Sequence, residues 1–393
     1  MKYPFSPAVL DALPEHIAGL YRQFEIEILK EICKQIKDND ELNEASVQKL
    51  RALRSQGIAQ KEINKAVSKL SKRSEKSVQS LLDDVYNRNR KYYGAVARDV
   101  SKPEIIMSQA DVDAIMAQTK GDVANITRSM AFVLDGLDGA TKSVSLSNAL
   151  VWAFDKSLIE IQSGSKSYSE AIRNAVKGLA DSGIRYVDFE SGRTDSIDVA
   201  VRRAVMTGIN QLNHRYSEQA MQELETDLVE VSAHAGARDA GIGIENHREW
   251  QGKVYEWTKD GQKPVGKYPD FEKSTGYGDG AGLGGWNCRH TFYPFIDGIS
   301  ERTYTDEELD NIDQSPFTFE GKQYTQYEAT QKQREIERTI RKLTREKTGY
   351  ETAGLAKDAQ NASAKIAVLK SKYRKFSKMA HLPMQNDRMK VFY

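Results

Sequence analysis

Apolar side chains recur at steps of three and four residues over long stretches of the chain, which is the spacing of amphipathic α-helices. In residues 14–37 one side of the predicted helix carries Ile17, Leu20, Tyr21, Phe24, Ile28, Ile32 and Ile36. Between Asp195 and Glu225 a longer stripe comprises Ile197, Val201, Val205, Ile209, Leu212, Tyr216, Ala220 and Leu224. The second stripe is long enough to predict a central core helix.

Shorter amphipathic segments predict further helices on both sides of the central one. They cover residues 59–70, 108–119, 331–347 and 361–379. Ser108 is suited to cap the N-terminus of the second of these segments. Polar breaks are expected at Gly57, at Lys120 and Gly121, and at residues 163–165. Because strand-like alternation is scarce before Tyr186, the region before that residue is expected to be helical.

The pattern changes after the central helix. Val229, Val231 and Ala233 alternate with polar residues, which predicts a half-buried strand. From Gly236 to Gly298 glycines and aromatic residues then dominate, and helical periodicity disappears. The expected fold is therefore mainly α with a small α+β module. Its regions are an elongated helical N-terminal arm (1–185), a central α+β domain (186–300) and a helical, partly basic C-terminal region (301–393).

Composition limits the classes of partner. The 393 residues include 57 Lys and Arg against 56 Asp and Glu, so global charge cannot steer the chain to nucleic acid or a membrane. Two cysteines, Cys33 and Cys288, argue against a disulfide scaffold. No uninterrupted apolar run reaches the length of a signal or membrane segment. A soluble protein made in the cytoplasm, without a membrane segment, is expected.

One segment departs from this balance of charge. No acidic residue lies between Asp358 and Asp387, and the stretch carries Lys365, Lys370, Lys372, Arg374, Lys375 and Lys378. A solvated helix face is one interpretation. Contact with phosphates or with an acidic protein surface is the other.

The segment GLGGWNCRHTFYPF, residues 282–295, concentrates the candidate chemistry. Gly280, Gly282 and Gly285 have the spacing of a dinucleotide-binding turn. That turn needs a strand before it and a helix after it, whereas here a strand-like, proline-containing run follows. A nucleotide site is therefore not expected here. The glycines are expected to allow positive φ and a close backbone approach beside Trp286.

Cysteine and histidine side chains leave two chemical alternatives open. Cys288 and His290 would share a strand face, and His247 with His234 could complete a tetrahedral zinc site. A buried cysteine with hydrogen-bonded histidines is the competing interpretation, and it predicts that the chain has no cofactor. Alternatively, Cys288 could act as a nucleophile with His247 or His234 as its base, next to the cation of Arg289.

Several motifs occur from the central region onward: SAHAGAR (232–238), HREWQGKVYEW (247–257), YPDF (268–271), TGYGDGAGLGGWNCRHTFYPFIDG (275–298) and QKQREIERTIRKL (331–343). Together they resemble the phage minor capsid protein 2 family, which is similar in role to the Mu F-like minor head proteins of tailed bacteriophages. The residues that carry the signature are Trp250, Gln251, Gly252, Gly284, Gly285, Trp286 and Asn287. They enter as a structural signature, because no catalytic residues come with the family.

The resemblance implies a structural virion protein, present in few copies at the portal vertex or in the capsid interior, that acts in head assembly. The portal protein, the major capsid protein on the inner capsid surface, and packaged DNA during packaging or ejection are the implied partners. Apolar helix faces need a surface to pack against, so another copy of this chain is a further expected partner. An enzyme is not expected. The alternative is an enzyme or effector carried in the head that uses Cys288 and the nearby histidines.

Overall fold

The computed structural model describes residues 3–37, 58–136, 139–258, 266–286 and 288–390. Its helices are α1 (Pro7–Ala12), α2 (Glu15–Lys37), α3 (Ile58–Asp99), α4 (Gln109–Arg128), α5 (Leu146–Gln162), α6 (Tyr168–Ser182), α7 (Ile197–Leu224), α8 (His247–Trp250), α9 (Phe271–Thr275), α10 (Asp306–Asp310), α11 (Gln326–Thr352), α12 (Ala356–Met379) and α13 (Asn386–Met389). Its strands are β1 (Met130–Asp135), β2 (Thr141–Ser145), β3 (Arg185–Val187), β4 (Thr194–Ser196), β5 (Leu228–Val231), β6 (Val254–Glu256), β7 (Phe292–Phe295), β8 (Phe317–Phe319) and β9 (Lys322–Tyr324).

The predicted fold class is confirmed: helical N-terminal and C-terminal regions flank a central α+β part. Helix α7 is the central helix, and α2, α3 and α4 all pack against it. The predicted stripe of α7 faces inward, since Val201, Ile209 and Leu212 are fully buried. These helices share one large hydrophobic core with α5 and α6.

The N-terminal helices do not extend away from the rest of the chain as an arm. Helix α11, from the C-terminal region, packs against both α2 and α6. Tyr350 of α11 is part of the same core as the N-terminal helices. Their apolar stripes therefore find partners within this chain, and the core crosses the boundaries predicted after residues 185 and 300. Those boundaries stay a prediction.

Two local expectations are wrong. The break expected at Lys120 and Gly121 falls inside α4, which runs on to Arg128 from its Ser108 cap. A four-stranded antiparallel sheet, ordered β2-β1-β3-β4, includes a hairpin well before Tyr186. Its strand β1 reads MAFVLD and is buried on both faces, so it shows no alternation. The break expected at Gly57 lies outside the described residues.

The central module is a three-stranded antiparallel sheet ordered β6-β5-β7, with aromatic residues packed on it. Strand β5 matches the predicted strand, but it is buried on both faces. Its Glu230 accepts hydrogen bonds from Tyr3 and from the amide and hydroxyl of Thr303, each of the latter at 2.7 Å. These three donors satisfy the carboxylate and so offset the cost of burying it.

The C-terminal region is an antiparallel pair of long helices. Thr325 and Glu328 form a capping box at the start of α11, and α12 packs along it. The β8–β9 hairpin covers one end of the pair, where Phe317 and Tyr324 contact Phe376. This arrangement leaves one side of α12 facing solvent.

Candidate functional site

A glycine-rich loop between α9 and β7 forms one wall of the candidate site. The amide of Trp286 donates to the carbonyl of Gly280 at 2.7 Å, and the amide of Leu283 donates to Thr275 at 2.9 Å. A Cβ on Gly282 would overlap the carbonyl oxygen of Gly276. Glycine is therefore required for this close approach of two backbone segments. The expected close backbone approach is confirmed at Gly282, and the expected positive φ is found at Gly284 instead.

The loop leads into an extended segment that carries Cys288 and His290. Asn210 of α7 donates to the Cys288 carbonyl at 3.2 Å, and the Ser232 hydroxyl accepts from the Thr291 amide at 3.0 Å. The side chains of Cys288 and His290 are both buried and lie on the same side of this segment, as predicted. The segment is not part of a strand, because β7 begins only at Phe292. The Cys288 sulfur lies 3.5 Å from Nδ1 of His290.

His247, the first residue of α8, meets this pair. One potential ligand atom each from His247, Cys288 and His290 lies within 4.8 Å of the others, and all three residues are buried. The short helix is fixed by Trp250, whose indole donates to the Ile244 carbonyl at 3.1 Å and whose ring lies 4.9 Å from that of His290. Residues far apart in sequence thus form one compact cluster.

Hydrogen bonds define which nitrogen of each ring carries a proton. Oε1 of Gln251 accepts from the His234 amide at 3.0 Å and lies 3.0 Å from Nε2 of His290. Because an amide oxygen can only accept, Nε2 of His290 must donate to it. The Ala281 carbonyl lies 2.9 Å from Nε2 of His247, and a carbonyl can only accept. Both rings therefore carry their proton on Nε2 and keep a lone pair on Nδ1.

Burial sets the protonation of the cluster. It lowers the pKa of His247 to about 4, and it lowers the pKa of His290 well below the usual value, with further lowering by His234 and His247. Burial raises the pKa of the Cys288 thiol. At neutral pH the rings are neutral and the thiol is protonated. Such a thiol is a weak nucleophile, which argues against the alternative of an enzyme that uses Cys288.

His234, the fourth predicted ligand, lies beside the cluster but not in it. Its ring stacks on His290 with centroids 4.4 Å apart, and its Nδ1 contacts the carbonyl of Ala235 at 2.9 Å. Its ring nitrogens are not among the three converging ligand atoms. The structure thus brings three of the four predicted residues together.

A small cavity of about 140 Å³ opens beside the cluster. Arg238 and Arg289 line one part of it, and Tyr327, Gln331 and Arg334 of α11 line another. Arg238 donates to the carbonyls of Ala281 and Trp286, each at 3.3 Å, and Arg289 lies 3.8 Å from Asp11. No local pattern in the sequence predicts this long-range contribution of α11 to the cavity.

The signature residues have separate structural roles. Trp250 and Gln251 are buried supports of the cluster. Gly252 and Gly284 have φ of +69° and +74°, and a Cβ on Gly285 would overlap the carbonyl of Gly280. Trp286 is 65% exposed. Asn287 lies outside the described residues.

The predicted basic residues lie on α12, far along the chain from this cluster. Lys365, Lys370, Arg374, Lys375 and Lys378 are exposed, whereas Lys372 pairs with Glu320. Among the described residues, no ion pair is seen for those five exposed cations. No described helix is long and apolar enough to span a membrane.

Comparison with known proteins agrees with the resemblance seen in the motifs. A sequence model of the family described as phage minor capsid protein 2 matches residues 5–378. The chain is 25% identical over 226 residues to a "Structural protein" of Lactococcus phage LL-H, a match that covers 56% of this chain and 55% of that protein. It thus spans about half the length of that relative.

A second relative is shorter. The chain is 32% identical over 126 residues to a "Structural protein" of Lactococcus phage mv4, which covers 32% of this chain and 93% of that protein. No solved structure matches the chain.

Proposed function

This chain belongs to the phage minor capsid protein 2 family, and we propose that it acts as a portal-associated minor head protein during head assembly. The observation that carries the proposal is the family match, which extends over residues 5–378. The match includes the helical bundle formed by α2 to α7, the central module and both long C-terminal helices. The proposed location is the portal vertex or the inner face of the capsid shell. The proposed role is structural rather than enzymatic.

The surface that we propose for portal contact is centred on Trp286. Its ring packs on Gly280, since a Cβ there would lie 2.8 Å from the indole, and its amide is held by the Gly280 carbonyl. The opposite side of the ring faces solvent. A large aromatic side chain that is exposed yet fixed in place can bind a partner with little loss of conformational freedom, and tryptophan is enriched among residues that dominate protein interfaces.

A groove beside this tryptophan extends the proposed surface. It has a volume of about 570 Å³ and lies between α4, α7 and the glycine loop. Asp111, Arg215 and Glu218 line it, together with Ile115 and Leu283. A mixed apolar and charged groove next to an exposed aromatic anchor has the composition of an interface core with a polar rim.

The test compares two exposed aromatic residues. Trp286→Ala is expected to reduce the amount of the chain recovered in purified heads at least tenfold, with the far-UV spectrum of the purified protein unchanged. Phe189→Ala is the matched control, because Phe189 is 73% exposed but lies in the β3–β4 turn. Normal incorporation of the Trp286 variant, or equal loss with both variants, would argue against this surface.

A second proposed role is contact with packaged DNA through α12. The specific observation is the set of exposed cations on α12 without acidic partners in the described part of the chain. Lys370 and Arg374 also line a groove of about 750 Å³ between α11, α12 and α13. Cations that neutralise phosphates release counterions, so binding of this kind weakens steeply with salt.

The DNA role can be tested with the full chain and a duplex of arbitrary sequence. Replacing Lys370, Arg374 and Lys375 with glutamate is expected to weaken binding and to flatten its dependence on salt. Replacing Lys61, Lys65 and Lys69 with glutamate makes the same charge change on exposed residues of α3. Equal weakening by both sets would indicate a general charge effect and contradict a role specific to α12.

A further inference from the structure

The geometry of the Cys288 cluster points to a binding site for one zinc ion, and we propose that Cys288 Sγ, His290 Nδ1 and His247 Nδ1 are its protein ligands. Nitrogen and sulfur donors are those that zinc prefers in proteins. Zinc–sulfur and zinc–nitrogen bonds of about 2.3 and 2.0 Å at a tetrahedral angle separate the two ligand atoms by about 3.5 Å. The observed separation of Cys288 Sγ and His290 Nδ1 is 3.5 Å.

The hydrogen bonds around the cluster match those around known metal sites. A histidine that binds a metal through one ring nitrogen usually donates the other N–H to a carbonyl or a carboxylate, which fixes the ring and its tautomer. His290 donates to Gln251, and His247 donates to the carbonyl of Ala281. Each free lone pair is therefore on Nδ1, and Nδ1 of His290 is the ring atom that faces the sulfur of Cys288.

The proposal explains why separate motifs occur together in this chain. The segment HREWQG supplies one ligand, His247, and the acceptor Gln251. The segment AGLGGWNCRH supplies the other two ligands and the Ala281 carbonyl. A zinc ion would join the two segments directly, in a module whose apolar core is much smaller than that of the helical bundle.

The adjoining cavity supplies the fourth ligand position. Three protein ligands leave one tetrahedral position open, and a water molecule from the cavity of about 140 Å³ fills it. The nearby arginines disfavour a dication. Two circumstances reduce that effect: Arg238 is hydrogen-bonded to two carbonyls, and the thiol releases its proton to solvent as sulfur binds zinc. The net charge of the cluster therefore rises by one unit, not two.

The experiment uses the full chain after a chelator has removed bound metal. One sample is titrated with Zn²⁺ alone, and a second metal-free sample is titrated with Co²⁺ as a spectroscopic probe. We expect one Zn²⁺ per chain. We also expect a thiolate-to-cobalt charge-transfer band with the intense visible absorption of tetrahedral cobalt. Cys288→Ser and His247→Gln are expected to weaken zinc binding at least tenfold. Two variants serve as controls and should bind zinc as tightly as the unaltered chain. They are His16→Gln, at an exposed histidine, and Cys33→Ser, at the other buried thiol.

Two further variants separate a ligand set from mere packing. His234→Gln should keep the cobalt spectrum, because His234 is not among the three converging residues. Gln251→Leu should weaken zinc binding by about 10-fold to 100-fold as a loss of ligand support, and Gln251→Glu should restore it as an alternative acceptor. If a ligand variant does not fold, the cobalt spectrum of the unaltered chain still decides. No charge-transfer band, no 1:1 zinc binding, or unchanged affinity in Cys288→Ser would overturn the proposal.

Discussion

The helical bundle and the central module are stabilised in different ways. The bundle has a large core of aliphatic side chains at helical spacing, such as Leu82, Ile209 and Leu212. The module has a small core of aromatic rings, such as Trp250, Phe271 and Phe292, next to a buried polar cluster. Periodic burial makes a helix recognisable from its own sequence. The module depends on contacts between segments that no local period encodes.

The largest expected effect comes from one core substitution in each region. Ile209→Ala in α7 and Phe292→Ala in β7 should each lower the free energy of unfolding by about 2 to 5 kcal/mol, since both side chains are fully buried. The two variants should differ in kind. In Ile209→Ala the far-UV signal of the whole chain should be lost under milder unfolding conditions. In Phe292→Ala the near-UV signal of the packed aromatic rings should be lost before the far-UV signal. Identical loss of both signals in the two variants would show that the regions unfold as one unit.

A smaller effect concerns pH and His214, which lies between the two regions. Burial lowers its pKa to about 4, and its ring contacts Tyr277 and Phe292 of the module. In the unfolded chain His214 takes up a proton below about pH 6.5, whereas in the folded chain it does so only near pH 4. Its contribution is therefore complete above pH 6.5 and is lost as the pH falls toward 4.

The consequence can be measured by urea unfolding at pH 7 and pH 5. Between these values His214 should account for about 2 kcal/mol of lost stability. His214→Gln should reduce the pH dependence by that amount, while the other histidines contribute equally in both proteins. An unchanged pH dependence in the variant would mean that His214 is not buried in its neutral form.

The smallest expected effect separates two glycines in the bundle. Gly121 lies inside α4 with open space where a Cβ would be added, so Gly121→Ala should raise the free energy of unfolding by about 0.5 to 1 kcal/mol. Gly208→Ala should lower it, because a Cβ in α7 would overlap the side chain of Thr119. Thermal unfolding measures both. A gain with each substitution would contradict the close approach of α4 and α7.

The sequence predicted the bundle better than the module. The apolar stripes of α2 and α7 located those helices to within a few residues, because each helix buries one regular face. Strand β1 was missed, because burial on both faces removes alternation. Cys288, His290 and His247 are candidates by their chemistry alone, and the structure brings these three side chains together. The sequence does not predict that Gln251 accepts a hydrogen bond from His290 or that α11 lines the cavity, since both features arise from tertiary contacts.

Cross-linking mass spectrometry of purified virions tests the central claim of a portal-associated minor head protein most directly. Lysine-reactive cross-linking of intact heads should join this chain to the portal protein, and the chain should be present in fewer copies than the major capsid protein. Lys273 in α9 precedes the glycine loop of Trp286 and is a natural reporter for that surface. Absence of the chain from purified heads, or cross-links to tail proteins alone, would contradict the account.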